Sequence, residues 1–312
     1  MLVPMKVLLE AAEAGNYAIG AFNVMNMEIV EAALMAAEAE QAPIILQVTQ
    51  TSTDYTNIRT VHAIIEEIAS RTWLPIATNL DHGKSFDWAV RFIRAGFTSV
   101  MIDGSKFSFE ENVALTQKVI EAAHACGVSV EAELGVLGAL ADMTEEEKAA
   151  ALTKPEDAAK FVELTGVDAL AVSIGTKHGP YKGKPELAFD RLAEINAATD
   201  CPLVMHGGTG VPDEHVQHGI SLGIRKINID TQIRQGFRAG IDKALAEDAK
   251  VYDPRKLLIP AREAMVEAIR DRIQCFGASG KGKHALDFAT RSHVAFPELV
   301  EKVSDPNDPG QE

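Results

Sequence analysis

The sequence predicts an α/β protein whose eight parallel strands close into a (β/α)8 barrel, with an extra helix at each end. Three observations carry this prediction. Apolar runs of four to eight residues alternate with segments of helical period along the 312-residue chain. The alternation repeats eight times, and eight units over about 250 residues is the number that closes a barrel. Polar residues end most of the apolar runs, as they do where strand ends share one functional rim. An open doubly wound sheet would stop nearer six strands and carry a glycine fingerprint after the first. The run Gly15-Asn-Tyr-Ala-Ile-Gly20 matches that fingerprint in spacing only, because it falls before and inside a strand.

Taken in order, a short amphipathic helix over 5–14 ends at Gly15, and Tyr17–Val24 forms the first buried strand. A helix rich in Ala, Glu and Met over 27–40 leads to strand 43–49, then helix 59–70 to strand 75–81. Helix 85–95, strand 98–103, helix 108–126 and strand 128–133 continue the pattern. The stretch from Gly135 to Thr153 is long for a barrel connection and polar, as an active-site lid would be. Within it, Thr144 and Glu147 predict a capping box that starts a short helix over 144–150. Helix 155–165, strand 168–174, helix 187–199, strand 202–206, helix 212–219, strand 224–230 and helix 231–247 complete the barrel. A last helix is expected over 257–274, followed by a basic loop, Gly277–Lys283. The domain reading is one barrel over 1–280 and a partly flexible extension over 281–312, whose turn-rich end from Ser304 is expected to fray.

Composition narrows the function. Charged residues are 24% and hydrophobic ones 46%, as in a soluble globular protein. A net charge of -15 without any basic block argues against nucleic acid or an anionic membrane as partner. No stretch reaches membrane-spanning length, and three cysteines without metal-type spacing suit a reducing compartment, so a cytoplasmic location is expected.

Three histidines follow apolar strands and are each followed by glycine: Asp81-His82-Gly83, Lys177-His178-Gly179 and Met205-His206-Gly207. One buried histidine is ordinarily a hydrogen-bonded core residue; three at matching strand ends look like the protein ligands of an open divalent-metal site. The other strand ends carry Asn23, Gln47, Asp103, Glu133, Asn228 and Asp230. Asp81 is suited either to acid–base chemistry beside the metal or to a supporting hydrogen bond. Glu133 and Asp103 are read equally as further metal ligands or as partners of buried amides. Gly207-Gly208-Thr209-Gly210 and Asn228-Ile-Asp230-Thr231 each open a helix after strands seven and eight, where barrels hold phosphate on backbone amides. Gly179 and Lys182 complete this anion nest with one cation.

At these motifs the chain resembles the class II, metal-dependent ketose-bisphosphate aldolases, over about Val7 to Gly280. The resemblance rests jointly on Gly20-Ala-Phe-Asn-Val24, Leu80-Asp-His-Gly83, Ser99–Ser105, Val130-Glu-Ala-Glu-Leu-Gly135, Gly175-Thr-Lys-His-Gly179, His206-Gly-Gly-Thr-Gly210, Lys226–Thr231 and Asp253-Pro-Arg255. It implies zinc, or another divalent ion, on His82, His178 and His206, with Glu133 and Asp103 near an alternative metal position. It implies that Asp81 moves the proton of the C4 hydroxyl, and that the C1 phosphate lies on Gly179, Lys182, Gly207, Thr209, Asp230 and Thr231, with a monovalent cation beside it. Asn228 would lie close to the enediolate. The implied reaction is reversible cleavage of fructose- or tagatose-1,6-bisphosphate, or a related ketose phosphate, to dihydroxyacetone phosphate and an aldehyde, by a homodimer or homotetramer. Two departures stand out. Where the family usually has Gly-Gly-x-Glu-Asp, this chain has Gly138-Ala-Leu-Ala-Asp142, so Ala141 replaces the loop glutamate, and Asp142 or, failing it, Glu145 is the nearest carboxylate. Thr209 stands where serine is usual. The rival readings are an imine-forming aldolase using Lys177 or Lys226, a non-catalytic accessory barrel subunit, and a metal-dependent sugar-phosphate epimerase.

Overall fold

The structure, a computed structural model, describes residues 1–136, 138–140, 143–179, 181 and 183–291. Its strands are β1 (Ile19–Asn23), β2 (Ile44–Thr49), β3 (Ile76–Gly83), β4 (Ser99–Ile102), β5 (Ser129–Leu134), β6 (Ala169–Val172), β7 (Leu203–Met205) and β8 (Ile224–Ile229). They pair in sequence order, all in parallel, and β8 returns to β1 to close the barrel. Almost every strand residue is buried, because a parallel sheet covered by crossover helices has no wet face. The expected barrel is therefore the observed one.

Around it lie α1 (Met5–Gly15), α2 (Met27–Glu40), α3 (Ile58–Ala69), α4 (Phe86–Ala95), α5 (Phe109–His124), α6 (Glu145–Ala151), α7 (Pro155–Thr165), α8 (Phe189–Ala198), α9 (Asp213–Ser221), α10 (Thr231–Glu247), α11 (Pro254–Cys275) and α12 (Gly282–Arg291). Local chemistry sets their ends. Ser85 caps α4 by accepting from Trp88 N, and Gly96 ends it at φ 99°, a left-handed turn that glycine enters without strain. Ser108 with Glu111 and Thr144 with Glu147 form reciprocal capping boxes on α5 and α6, as the spacing predicts for the second. Pro155 opens α7 and Gly166 closes it.

The first helix covers the N-terminal end of the barrel. Lys6 N donates to Ser129 Oγ at the start of β5, and Lys6 Nζ pairs with buried Asp168 just before β6 at 3.1 Å. On the same helix Glu13 binds Arg225 of β8 at 2.7 Å. The helix α12 occupies a stretch that the sequence reads as loop and extension. It packs on α1, where His284 Nε2–H donates to Ala11 O. The opposite, C-terminal rim is left open, and the site lies there.

Candidate active site

Register delivers the rim residues to one another. Asn23 pairs with Gln47, Thr49 with Asp81, and Ala21 with Asn228, so β1, β2, β3 and β8 bring their polar ends together. A cavity of about 260 Å³ opens above them, lined by Asn23, Asp81, His82, His178, Gly179, Gly207, Thr209, Asn228, Asp230 and Thr231. Thr49, Gln50, Thr51 and Lys84 also line it, and the sequence reading gives these four no role.

His82 lies inside β3 with φ 51°, a conformation costly for a residue with a side chain. The β3–β4 register shifts between Leu80 and Gly83, and this bulge turns the imidazole inward while Asp81 also faces the cavity. His178 is not at a strand end: β6 stops at Val172, and the histidine sits six residues later on a loop. Tyr181 ties that loop down. Its Oη accepts from Lys177 N at 3.0 Å and donates to Gly207 O at 3.2 Å, joining the loop after β6 to the turn after β7. Gly207 (φ 65°) has no room for a side chain, since a Cβ would collide with the Lys177 carbonyl.

These placements bring His82, His178 and His206 together, each offering a nitrogen within 4.8 Å of the others. His82 also belongs to a second group, with Asp103 and Glu133. Its Nδ1 donates to Asp103 Oδ2 at 3.0 Å and lies 3.6 Å from Glu133 Oε2. Its Nε2 faces His206 Nδ1 at 3.1 Å, near the separation of about 3.3 Å that two tetrahedral ligand nitrogens of one ion would have. Burial works against charge on His82, yet Asp103, Asp81 and Glu133 raise its pKa to about 9. Burial also opposes ionisation of Asp103, but bonds from His82 and Ser105 hold it well below the usual carboxylate range. Glu133 goes the other way: burial and the neighbouring Asp103 push it up to about 8. Its Oε2 is buried without a hydrogen-bond partner. A cluster of imidazoles and carboxylates with two nitrogens at ligand spacing and an unsatisfied oxygen beside them fits a divalent ion of the type that binds N and O donors.

Asp81 accepts from Asn23 Nδ2 at 2.7 Å and from Asn228 Nδ2 at 3.3 Å, so its carboxylate plane is fixed. Asn23 in turn accepts from Gln47 Nε2 at 2.8 Å. On the other side, Lys226 Nζ donates to Asn228 Oδ1 at 2.6 Å and meets Glu131 Oε2 at 2.9 Å. Glu131 Oε1 lies 2.9 Å from His206 Nε2. Lys226 is thus held in a fully buried ion pair rather than presented as a free amine. Burial pushes Glu131 up, but Lys226 and His206 prevail and bring it to about 2, while burial lowers His206 to about 4. Glu131 was missed from the sequence. The signal was there: opposite charges in the middle of two apolar strands, Glu131 and Lys226, must find partners when buried.

Of the residues expected to hold phosphate, Gly179, Gly207, Thr209, Asp230 and Thr231 share the cavity. Gly208 lies behind the lining, where its N–H donates to Asn228 O. Asp230 starts α10 and accepts from Arg234 Nε at 2.6 Å. Lys182, Ala141 and Asp142 lie outside the described residues, as does the side chain of Glu145.

Comparison with known proteins agrees with this geometry. The family model described as fructose-bisphosphate aldolase class-II matches residues 3–281. A fructose-bisphosphate aldolase of Geobacillus stearothermophilus is 44% identical over 285 residues, covering 90% of this chain and 98% of the relative. One from Staphylococcus aureus (strain Mu50 / ATCC 700699) is 44% identical over 287 residues, covering 90% and 99%. Among solved structures, the YdjI aldolase from Escherichia coli K12 superposes with a TM-score of 0.81 at 34% identity, over 90% of this chain and 100% of that one. The fructose-bisphosphate aldolase of Campylobacter jejuni, 24% identical, shares the fold with a TM-score of 0.80, over 90% of this chain and 97% of that one.

Proposed function

The chain belongs to the class-II fructose-bisphosphate aldolase family and is an aldolase; from that premise we propose that it cleaves a ketose 1,6-bisphosphate, of the fructose or tagatose type, to dihydroxyacetone phosphate and an aldehyde. The observation that carries the reading is the convergence of His82, His178 and His206 to within reach of one ion, at the floor of a cavity that His82, His178 and Asp81 line.

His82, His178 and His206 would hold the ion, zinc in the first instance, with Asp103 and Glu133 offering an alternative position around His82. When bound, the ion supplies Lewis-acid polarisation of the substrate's C2 carbonyl. Gly179, Gly207, Thr209, Asp230 and Thr231, with Lys182, hold the C1 phosphate at the start of α10, where backbone N–H groups favour an anion. A monovalent cation beside the phosphate belongs to the same reading. Asp81, oriented by Asn23 and Asn228, takes the proton of the C4 hydroxyl. The C4–O bond becomes the aldehyde carbonyl, the C3–C4 bond breaks, and its electron pair stays with C3 of the dihydroxyacetone phosphate half. Protonation at C3 completes the cycle. Asp142 is the carboxylate assigned to that step, because Ala141 has no proton to give. A homodimer or homotetramer working in the cytoplasm is part of this proposal, supported by the family alone.

The test is a coupled assay for dihydroxyacetone phosphate with fructose and tagatose 1,6-bisphosphates, with and without chelator. Cleavage should vanish on chelation and return with zinc. His206→Ala should lose metal while keeping the barrel's circular dichroism, and Asp81→Asn should lower kcat by about 10²–10⁴-fold while keeping metal. A fully active metal-free preparation would sink the reading.

A further inference from the structure

Seven buried side chains form one continuous line of polar contacts across the barrel: Gln47, Asn23, Asp81, Asn228, Lys226, Glu131 and His206. None is more than 5% exposed, so water does not set their hydrogen-bond directions. The line has a polarity. An ammonium group only donates, so Asn228 must turn Oδ1 toward Lys226. Its Nδ2 is then the atom facing Asp81. The opposite amide orientation would set an oxygen against the carboxylate. At the other end Lys226 neutralises Glu131, and an ionised carboxylate only accepts. The hydrogen between Glu131 Oε1 and His206 Nε2 therefore belongs to the histidine, and His206 Nδ1 carries the lone pair turned toward His82 Nε2.

We propose that Lys226 and Glu131 are positioning residues through which one buried ion pair sets both halves of the site. Glu131 fixes the His206 tautomer that leaves Nδ1 free to bind a metal, and Lys226 fixes the amide orientation of Asn228 that aims Asp81. This rests on the metal-aldolase reading above for its purpose, but the tautomer and the metal affinity can be measured without any substrate.

Glu131→Gln is the sharpest variant because its outcome is an inversion. Lys226 would hold the oxygen of the new carboxamide. The carboxamide's N–H would then face His206 Nε2 and force the imidazole proton onto Nδ1. In full-length, metal-stripped protein, 15N chemical shifts of the His206 ring should report Nε2–H in the wild type and Nδ1–H in the variant. Zinc affinity, from competition with a chromogenic chelator, should fall about 10–100-fold. In the second variant, Glu131→Gln/Lys226→Met, the pair is replaced by neutral groups of similar size, a change that folds tolerate better than removal of one charge. There His206 should show mixed tautomers. At saturating zinc kcat should fall at least about tenfold with KM within about threefold, because Asp81 is misaimed while the phosphate nest is untouched. If the single variant does not fold, the double variant decides. His206 keeping Nε2–H, with zinc affinity within about twofold of wild type in a folded variant, overturns the proposal. A wild type that binds zinc but cleaves no ketose phosphate would instead overturn the functional reading and leave the tautomer result to stand by itself.

Discussion

Glu131 and Glu133 are two residues apart on β5, both buried, and their carboxyls titrate in opposite directions. Lys226 and His206 bring Glu131 down to about 2 against the cost of burial, whereas burial and Asp103 push Glu133 up to about 8. The consequence for stability has a definite sign. A carboxyl whose folded pKa lies above its unfolded value binds its proton more tightly when folded. The stabilisation is complete below about pH 4.5 and is lost as pH rises toward about 8. Metal-stripped protein should therefore become less stable across that window, by up to about 1.4 kcal/mol per pH unit for one proton. Glu133→Gln should flatten the slope. Urea unfolding at stepped pH in chelator measures it, and an unchanged slope in the variant would show that Glu133 ionises freely. The ring of polar strand ends was legible because each member interrupts an apolar run. Glu131 was harder to read, because it lies inside its strand, and its one sequence signal is the opposite charge of Lys226 inside another apolar run.

Among the elements, the helices and strands were readable where period and caps agreed, as in α4, α5 and α6. Two placements were not. The strand before His178 reads as running to 174, which puts the histidine near its end, because Ser173 and Ile174 continue the small and apolar run beyond β6. The helix α12 was missed because its formation depends on α1, far away in sequence, to cover Ala285 and its neighbours. Tertiary contact also decides the sign of a mutation between α10 and α11. A glycine inside a helix costs about 1 kcal/mol relative to alanine, so replacing one should stabilise an exposed helix. At Gly240, however, a Cβ would collide with Pro260 O and the Ala261 backbone. Overpacking of that kind costs about 1–3 kcal/mol and outweighs the propensity gain. One turn earlier, Gly236 leaves 3.2 Å to Ala264 O, a tight fit that needs a much smaller shift. Gly240→Ala should lower the urea midpoint and Gly236→Ala should leave it nearly unchanged. Equal effects would mean that the two helices slide apart at little cost.

At the scale of the whole molecule, barrel closure is what turns scattered residues into a site. His82, His178 and His206 are far apart in the chain, and they meet because β3, the loop after β6 and the turn after β7 share one rim. Order around the barrel follows from the alternation of elements, which is why the rim could be anticipated. The bulge at His82 and the Tyr181 strut could not, since both depend on contacts between neighbouring connections. A bound ion would add a further tie between segments already joined by the sheet and by the Tyr181 strut. A ligand that binds the folded chain and not the unfolded one stabilises it by RT ln(1 + [L]/Kd), or about 4 kcal/mol at a thousandfold excess over Kd. The cluster favours a low Kd, because Asp81, Asp103 and Glu133 all lie against His82 and gain from a divalent charge beside it. Thermal unfolding should therefore shift upward with the logarithm of free zinc and downward in chelator. His206→Ala should respond far less, and Gly240→Ala should respond as the wild type does, since its defect lies outside the site. Identical midpoints with and without zinc in the wild type would mean that the three histidines do not share one ion, and the metal reading of the rim would fall.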